Sequence, residues 1–219
     1  MSSTTSYRLS GIALLIGSIL SIVYYLSQTF LGGNDIHALT SPLMLVSIDI
    51  GLIGSVFLLL GLPGMYARQA GRAGILGLLG FLLVWYVTLF QGVMIPFANV
   101  TVIPGLLTHQ VTLSYAITPP STWTPFFIFS MVGQILGVLL LAIATLRARV
   151  FPRWIGWLLV ATLVVGVVSL VPFFPQALSN LAAIVASVAM AGFGYALLAP
   201  QRQEAVQATP THVEAEARA

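Results

Sequence analysis

The sequence predicts an all-α protein, a polytopic membrane helical bundle with six transmembrane helices and both termini in the cytoplasm. Hydrophobic residues make up 58% of its 219 residues and charged residues 6%, whereas a soluble domain carries about a quarter charged residues. Six runs that are almost free of charge approach the roughly 20 residues that a membrane-crossing helix needs. All eight basic residues are Arg, and the loops that hold them alternate with loops that hold none. Composition, run length and arginine placement thus predict the class, the number of spans and the orientation.

The transmembrane domain is predicted over residues 9–199, between a short cytoplasmic N-terminus (1–8) and a polar tail (200–219). Its spans are expected at about 9–31, 43–66, 73–95, 125–146, 154–171 and 178–199. No small-residue cleavage site follows the apolar core of the first span, which favours an uncleaved signal anchor over a cleaved signal peptide. The tail is rich in Ala, Gln and Glu, cannot bury a core, and is expected to be disordered.

The arginines predict the orientation of the bundle. One precedes the first span, two lie between the second and third spans, three lie between the fourth and fifth, and two lie in the tail. The intervening loops contain no Lys or Arg, so the positive-inside rule places both termini in the cytoplasm. The residue usage, with no Lys and no Cys, is typical of a high-GC bacterium. The predicted localisation is therefore the inner (cytoplasmic) membrane of a bacterial cell.

The longest loop, 97–124, has no charged residue and carries the apolar stretch 100–107. This pattern is typical of a re-entrant or interfacial segment, which lipid tolerates only where protein or a wet cavity satisfies its backbone. Asp35 and His37 in the first outer loop, with His109 here, offer oxygen and nitrogen ligands for a metal. An Asp-x-His pattern alone is weak, so these residues are interpreted as solvated loop residues and no metal site is predicted.

Asp49 is the one charged residue inside the predicted spans. A carboxylate in hydrocarbon costs on the order of a few kcal/mol, so an acid at this depth is a functional candidate. The predicted topology brings further polar side chains to the same outer half of the membrane. The candidate pocket residues are Asp49, Gln134, Gln91, Gln28, Tyr25 and Asn180. The alternative is structural, because the same amides and hydroxyls could satisfy one another through interhelical hydrogen bonds.

The second span carries small residues on one face, at Ser47, Gly51, Gly54 and Ser55. Such a face allows two helices to approach closely. At about 100° per residue, Asp49 points almost opposite to it. The second span is therefore expected to meet protein or water on both sides, which favours a central position in the bundle.

The sequence lacks the residues that several kinds of chemistry require. The absence of Cys excludes disulfides and thiol catalysis, and the absence of Lys excludes Schiff-base chemistry. No phosphate-binding loop, zinc-ligand motif or catalytic motif occurs, so no catalytic residue and no cofactor is predicted, and a non-enzymatic role is favoured. The net charge of +3 is small and lies in loops, which gives no sign of nucleic-acid binding.

Two arginine-bearing turns and the helix starts after them read GLPGMYARQAGR (61–72) and FPRWIGWLL (151–159). They resemble the corresponding turns of small six-span bacterial membrane proteins of unknown function, a resemblance that implies no activity and no site residue. The leading hypothesis is that the protein binds or passes a small solute or proton through an outward-facing polar pocket at Asp49. The alternative is a non-catalytic scaffold or accessory subunit that docks through small-residue helix faces. Its expected partners are the lipid bilayer and a second copy or another membrane protein.

Overall fold

The computed structural model describes residues 3–31, 41–108, 121–169 and 176–199. These ranges are helical almost throughout and contain no β-strand, which confirms the predicted all-α fold. The helices are α1 (Ser3–Leu31), α2 (Pro42–Leu89), α3 (Ile95–Thr108), α4 (Thr124–Ala148), α5 (Arg153–Val168) and α6 (Gln176–Leu198). A π-helical turn occupies Phe90–Met94 and a 3₁₀ turn Ser121–Trp123. The predicted tail (200–219), together with Asp35, His37 and His109, lies outside the described residues.

Within the described ranges, four helices are long and apolar enough to cross a membrane. They cover Thr5–Leu31, Pro42–Thr101, Thr124–Ala148 and Ala177–Leu198, and Arg153–Val168 is apolar but shorter. The sequence predicts six spans instead of four. The numbers differ because the second and third predicted spans lie in one helical stretch, and the fifth coincides with the shorter helix. That stretch also continues through α3, so the first part of the predicted long loop is helical.

Helix α2 reverses direction at Gly74, whose φ of 60° and ψ of −158° are not helical. Glycine adopts such a positive φ without steric cost. The rings of Tyr66 and Phe81 stack with centroids 4.9 Å apart, although 15 residues of straight helix would separate them by about 22 Å. The residues before and after Gly74 therefore form two antiparallel arms, a first arm (42–73) and a second arm (75–89).

The starts and ends of the helices follow from local sequence. Ser41 precedes α2, and its Oγ accepts a hydrogen bond of 3.3 Å from the backbone N–H of Met44, with Pro42 at the first helical position. Helix α4 ends where Arg149 adopts a left-handed conformation and donates its N–H to the carbonyl of Thr145. Pro152 then immediately precedes α5. These signals set the short turn between α4 and α5.

The described helices pack side by side around a closed ring. Helix α1 contacts the first arm of α2 and α6; α6 contacts α5, α5 contacts α4, and α4 contacts the second arm. Small residues bring several of these pairs close together. A Cβ atom placed on Gly17 would lie 2.7 Å from the carbonyl oxygen of Gly54, and one on Gly80 would lie 2.7 Å from the backbone nitrogen of Leu141. The small-residue face of the second predicted span is thus used inside the bundle, against α1.

One end of the ring, here called the arginine end, contains Arg8, Arg68 and Arg147 and the turn between α4 and α5. Its interior is a tightly packed apolar core. The core residues with at most 1% of their surface exposed are Leu14, Leu62, Met65, Leu141, Ala142, Ile155, Leu159, Ala189 and Phe193. The guanidinium of Arg68 donates a hydrogen bond of 3.0 Å to the carbonyl of Ala196 and lies 6.0 Å from the centre of the Phe151 ring. Arg68 therefore caps the last turn of α6 and fixes it to the core.

The opposite end, here called the amide end, carries Asp49 on the first arm of α2. Asp49 is partly buried, but the apolar residues that share its helical face are exposed. These are Val46, Ile53, Val56 and Leu60, at 41–64% exposure. The first arm packs on α1 with its small-residue face, whereas no described helix covers the Asp49 face. The sequence predicts protein or water on both sides of this span and a central position; within the described residues no helix covers its Asp49 side, so the central position is not observed there.

Candidate functional site: a polar cavity at the amide end

A cavity of about 370 Å³ lies at the amide end, between α1, the turn after the second arm, α4, α5 and α6. This volume falls within the roughly 300–1,000 Å³ of small-molecule sites in proteins. Its lining residues are Tyr25, Gln91, Met131, Gln134, Ile135, Val138, Thr162, Leu163, Gly166, Val167, Ser169, Ser179, Asn180, Ala182, Ala183 and Ala186. Polar and apolar side chains both contribute to the wall, and none of the lining side chains that the structure describes is charged.

The cavity exists because α5 is close to its neighbours at one end only. At the arginine end, a Cβ atom placed on Gly156 would lie 2.6 Å from Leu146 of α4, and one on Gly192 of α6 would meet the ring of Trp154. Ten residues further along α5, a Cβ atom on Gly166 would find no described atom within 4 Å. Helix α5 thus diverges from α4 and α6 toward the amide end, and its last turns form one wall of the opening.

Gln91 reaches the cavity from the π-helical turn Phe90–Met94. Short π-helical turns are frequent at functional sites, because the extra residue redirects neighbouring side chains. The Nε2 atom of Gln91 donates a hydrogen bond of 2.7 Å to Oγ of the fully buried Ser130 on α4. This bond uses one of the two N–H groups of the amide and fixes its orientation, so its Oε1 atom remains free to accept a hydrogen bond from a ligand.

Asn180 is held on the other side of the cavity, near the start of α6. It is buried, and its Nδ2 atom donates a hydrogen bond of 3.1 Å to Oγ1 of Thr29. The hydroxyl of Thr29 in turn donates to the backbone carbonyl of Tyr25, at 2.9 Å. Asn180 is thereby fixed to α1, with its Oδ1 atom left as an acceptor.

Gln134 differs from the other two amides. It is partly buried and lines the cavity, yet the described residues give its side chain no hydrogen-bond partner. A free carboxamide offers two donors and an acceptor. Burying such a group without a partner is unfavourable, so a bound molecule with matching groups would stabilise it. Gln134 is therefore the strongest single recognition group in the cavity.

The structure brings together four of the six predicted pocket residues and leaves two elsewhere. The four are Tyr25, Gln91, Gln134 and Asn180. Gln28 instead lies at the contact between α1 and α2, where its Nε2 atom is 3.3 Å from Sδ of Met44 and 3.5 Å from Oγ of Ser47. Asp49 is not part of the lining and lies on the exposed face of the first arm.

Sequence reasoning missed the hydroxyl groups that α5 contributes. Thr162, Gly166 and Ser169 recur at spacings of four and three residues, which places them on one helical face. This small and polar stripe is the signal that would have predicted a cavity wall on α5. A fully buried amide at the arginine end, Gln69, was also not predicted; neither of its amide atoms has a described hydrogen-bond partner.

The described residues contain no group of three or more His, Asp or Glu side chains that could hold a metal ion. Comparison with protein-family models, with curated proteins and with solved structures finds no match to this chain. The resemblance to small six-span bacterial membrane proteins therefore stays a prediction, and the cavity itself carries the functional argument.

Proposed function

We propose that this is a six-span membrane protein whose cavity at the amide end binds a small, neutral molecule that combines hydrogen-bonding and apolar groups. The observation that carries this proposal is the lining, in which three amides and several hydroxyls converge and no side chain from the described residues is charged. A charged ligand would find no counter-charge among these side chains and would lose its hydration. A neutral ligand can pair with the amides and place its apolar part against Met131, Val138 and Leu163.

The six crossings follow from counting the two arms of α2 separately and including α5. The 16 residues of α5 span about 24 Å of helix, close to the roughly 30 Å of hydrocarbon in a bilayer. Under the positive-inside rule the arginine end faces the cytoplasm, which puts both termini there and the cavity in the outer half. In a bacterium this membrane is the inner membrane.

Binding is favoured over passage of a solute. Below the cavity, the described residues at the arginine end form a packed core in which Met65, Leu141 and Phe193 have no exposed surface. Proton passage at Asp49 has little support, because that carboxyl is outside the cavity lining. A role as a scaffold would have to use a face other than the small-residue face, which α1 already occupies.

The chain has no Cys, so a single engineered thiol reports on the cavity without background. We would place it by Ala183→Cys on the lining, in protein reconstituted into lipid nanodiscs, and measure the rate of labelling by N-ethylmaleimide. Hexanamide and hexanol, which are neutral and have both polar and apolar parts, should slow the labelling in proportion to their concentration. Hexanoate, the charged analogue, should protect far less.

Gln134→Leu should weaken protection by hexanamide about fivefold, because one hydrogen bond contributes about 1 kcal/mol to binding. Gln28→Leu is the matched control, since it removes the same group at the same end but outside the cavity, and it should leave the protection unchanged. The proposal fails if neither neutral probe slows labelling, or if hexanoate protects as well as hexanamide.

A further inference from the structure

The cavity is not closed off from the apolar outer surface of the bundle. Two of its lining residues, Met131 of α4 and Val167 of α5, are 51% and 50% exposed. They lie on the walls of the two helices that diverge toward the amide end. The cavity therefore has a mouth at the surface between α4 and α5.

The surface around this mouth is apolar on both helices. On α4, Ile128 and Val132 flank Met131, and on α5, Val164 and Val168 flank Val167; all four are exposed. A helix surface of this composition is stable in contact with lipid tails and unfavourable in contact with water. Of the three amides in the lining, Asn180 is buried and Gln134 is partly buried, whereas Gln91 is exposed. Polarity thus rises from the mouth inward, as a molecule with a polar head and an apolar chain would require.

We infer that the ligand is a neutral lipid-like amphiphile that enters sideways from the bilayer through the mouth between Met131 and Val167. Its uncharged head group hydrogen-bonds to Gln134 and to the free acceptors of Gln91 and Asn180, while its chain leaves between α4 and α5. This inference rests on the proposed function and adds the class of ligand and its route.

The probe for this inference is monoolein, a neutral amphiphile with two hydroxyls and one long chain, mixed into phosphatidylcholine nanodiscs. Protection of the Ala183→Cys thiol is followed over time for monoolein and for hexanamide, which is short and water-soluble. Val167→Trp should slow the onset of monoolein protection about tenfold, because extra atoms in a close-fitting passage are strongly unfavourable. The onset for hexanamide should keep its rate. Val56→Trp, at an exposed valine on the first arm of α2 and away from the mouth, is the control and should change neither rate.

A second variant provides a test that does not depend on whether Val167→Trp folds. Met131→Ala widens the mouth from the α4 side and should accelerate monoolein protection. If hexanamide protects the thiol of the parent Ala183→Cys protein and monoolein does not, lateral access is wrong and the proposed cavity stands. If Val167→Trp slows both probes equally, access from the membrane is likewise overturned. If neither probe protects the parent Ala183→Cys protein, the proposed function fails together with this inference.

Discussion

The two ends of the bundle use the same helices but pack them differently. At the arginine end, α1, α2, α4, α5 and α6 enclose side chains such as Met65 and Ile155 with no exposed surface, and Arg68 caps α6. At the amide end the same ring leaves a cavity of about 370 Å³. The difference lies mainly in α5, which is in close contact at Gly156 and has open space at Gly166. The closely packed arginine end thus holds the helices in place around the open amide end, which is the arrangement that a binding site built on helices needs.

The largest effect should come from adding one methyl group at the closed end. In Gly61→Ala, the new Cβ would lie 2.5 Å from Cγ of Leu14 and 2.8 Å from the backbone carbonyl of Ser10, so α1 and α2 must separate. We expect a loss of about 2–3 kcal/mol in the free energy of unfolding, measured by denaturant titration in micelles.

Gly166→Ala is the matched change at the open end, where no described atom lies within 4 Å of the new Cβ. It should be neutral or stabilising by up to about 1 kcal/mol, because Ala favours the helix over Gly. Equal losses in the two variants would show that the ends do not differ in packing as described.

A smaller effect should follow when the side chain of Gln91, on the π-helical turn, loses its hydrogen bond to Ser130. Ser130→Ala removes the hydroxyl that accepts the 2.7 Å hydrogen bond from Gln91, so the Gln91 side chain loses its fixed orientation. We expect hexanamide to protect the Ala183→Cys thiol about fivefold less well, since about 1 kcal/mol of binding depends on that orientation.

Ser187→Ala is the control for this variant. Ser187 is also buried, but its hydroxyl bonds only to the carbonyl of Ala183 in its own helix, at 2.8 Å. Its removal should leave protection close to that of the parent. If Ser130→Ala and Ser187→Ala behave alike, Gln91 is not oriented for ligand binding by Ser130.

Run length and hydropathy predicted the helices well, because both depend only on local sequence. The fourth predicted span, 125–146, lies within α4 at Thr124–Ala148. Depth along the spans also predicted that Gln91, Gln134 and Asn180 would lie at the same end. Which side of a helix faces the interior depends on its neighbours, so the position of Asp49 could not be predicted. The cavity depends on how far α5 diverges, and the sequence shows this only as the stripe of small and polar residues on that helix.

The smallest effect on the cavity should come from Asp49, although the sequence favours it most. Asp49→Asn keeps the size of the side chain, removes its charge and leaves every lining residue in place, so protection of the Ala183→Cys thiol by hexanamide should be unchanged. A loss as large as that of Gln134→Leu would return Asp49 to the site and contradict the lining described.

What Asp49→Asn should change is association. Its carboxyl lies on an apolar face that no described helix covers, and a buried polar group in lipid favours a hydrogen-bonding partner helix. We therefore expect the yield of chemical cross-linking in membranes to differ between the parent and Asp49→Asn. That difference would assign helix docking to the Asp49 face, whereas ligand binding is assigned to the cavity.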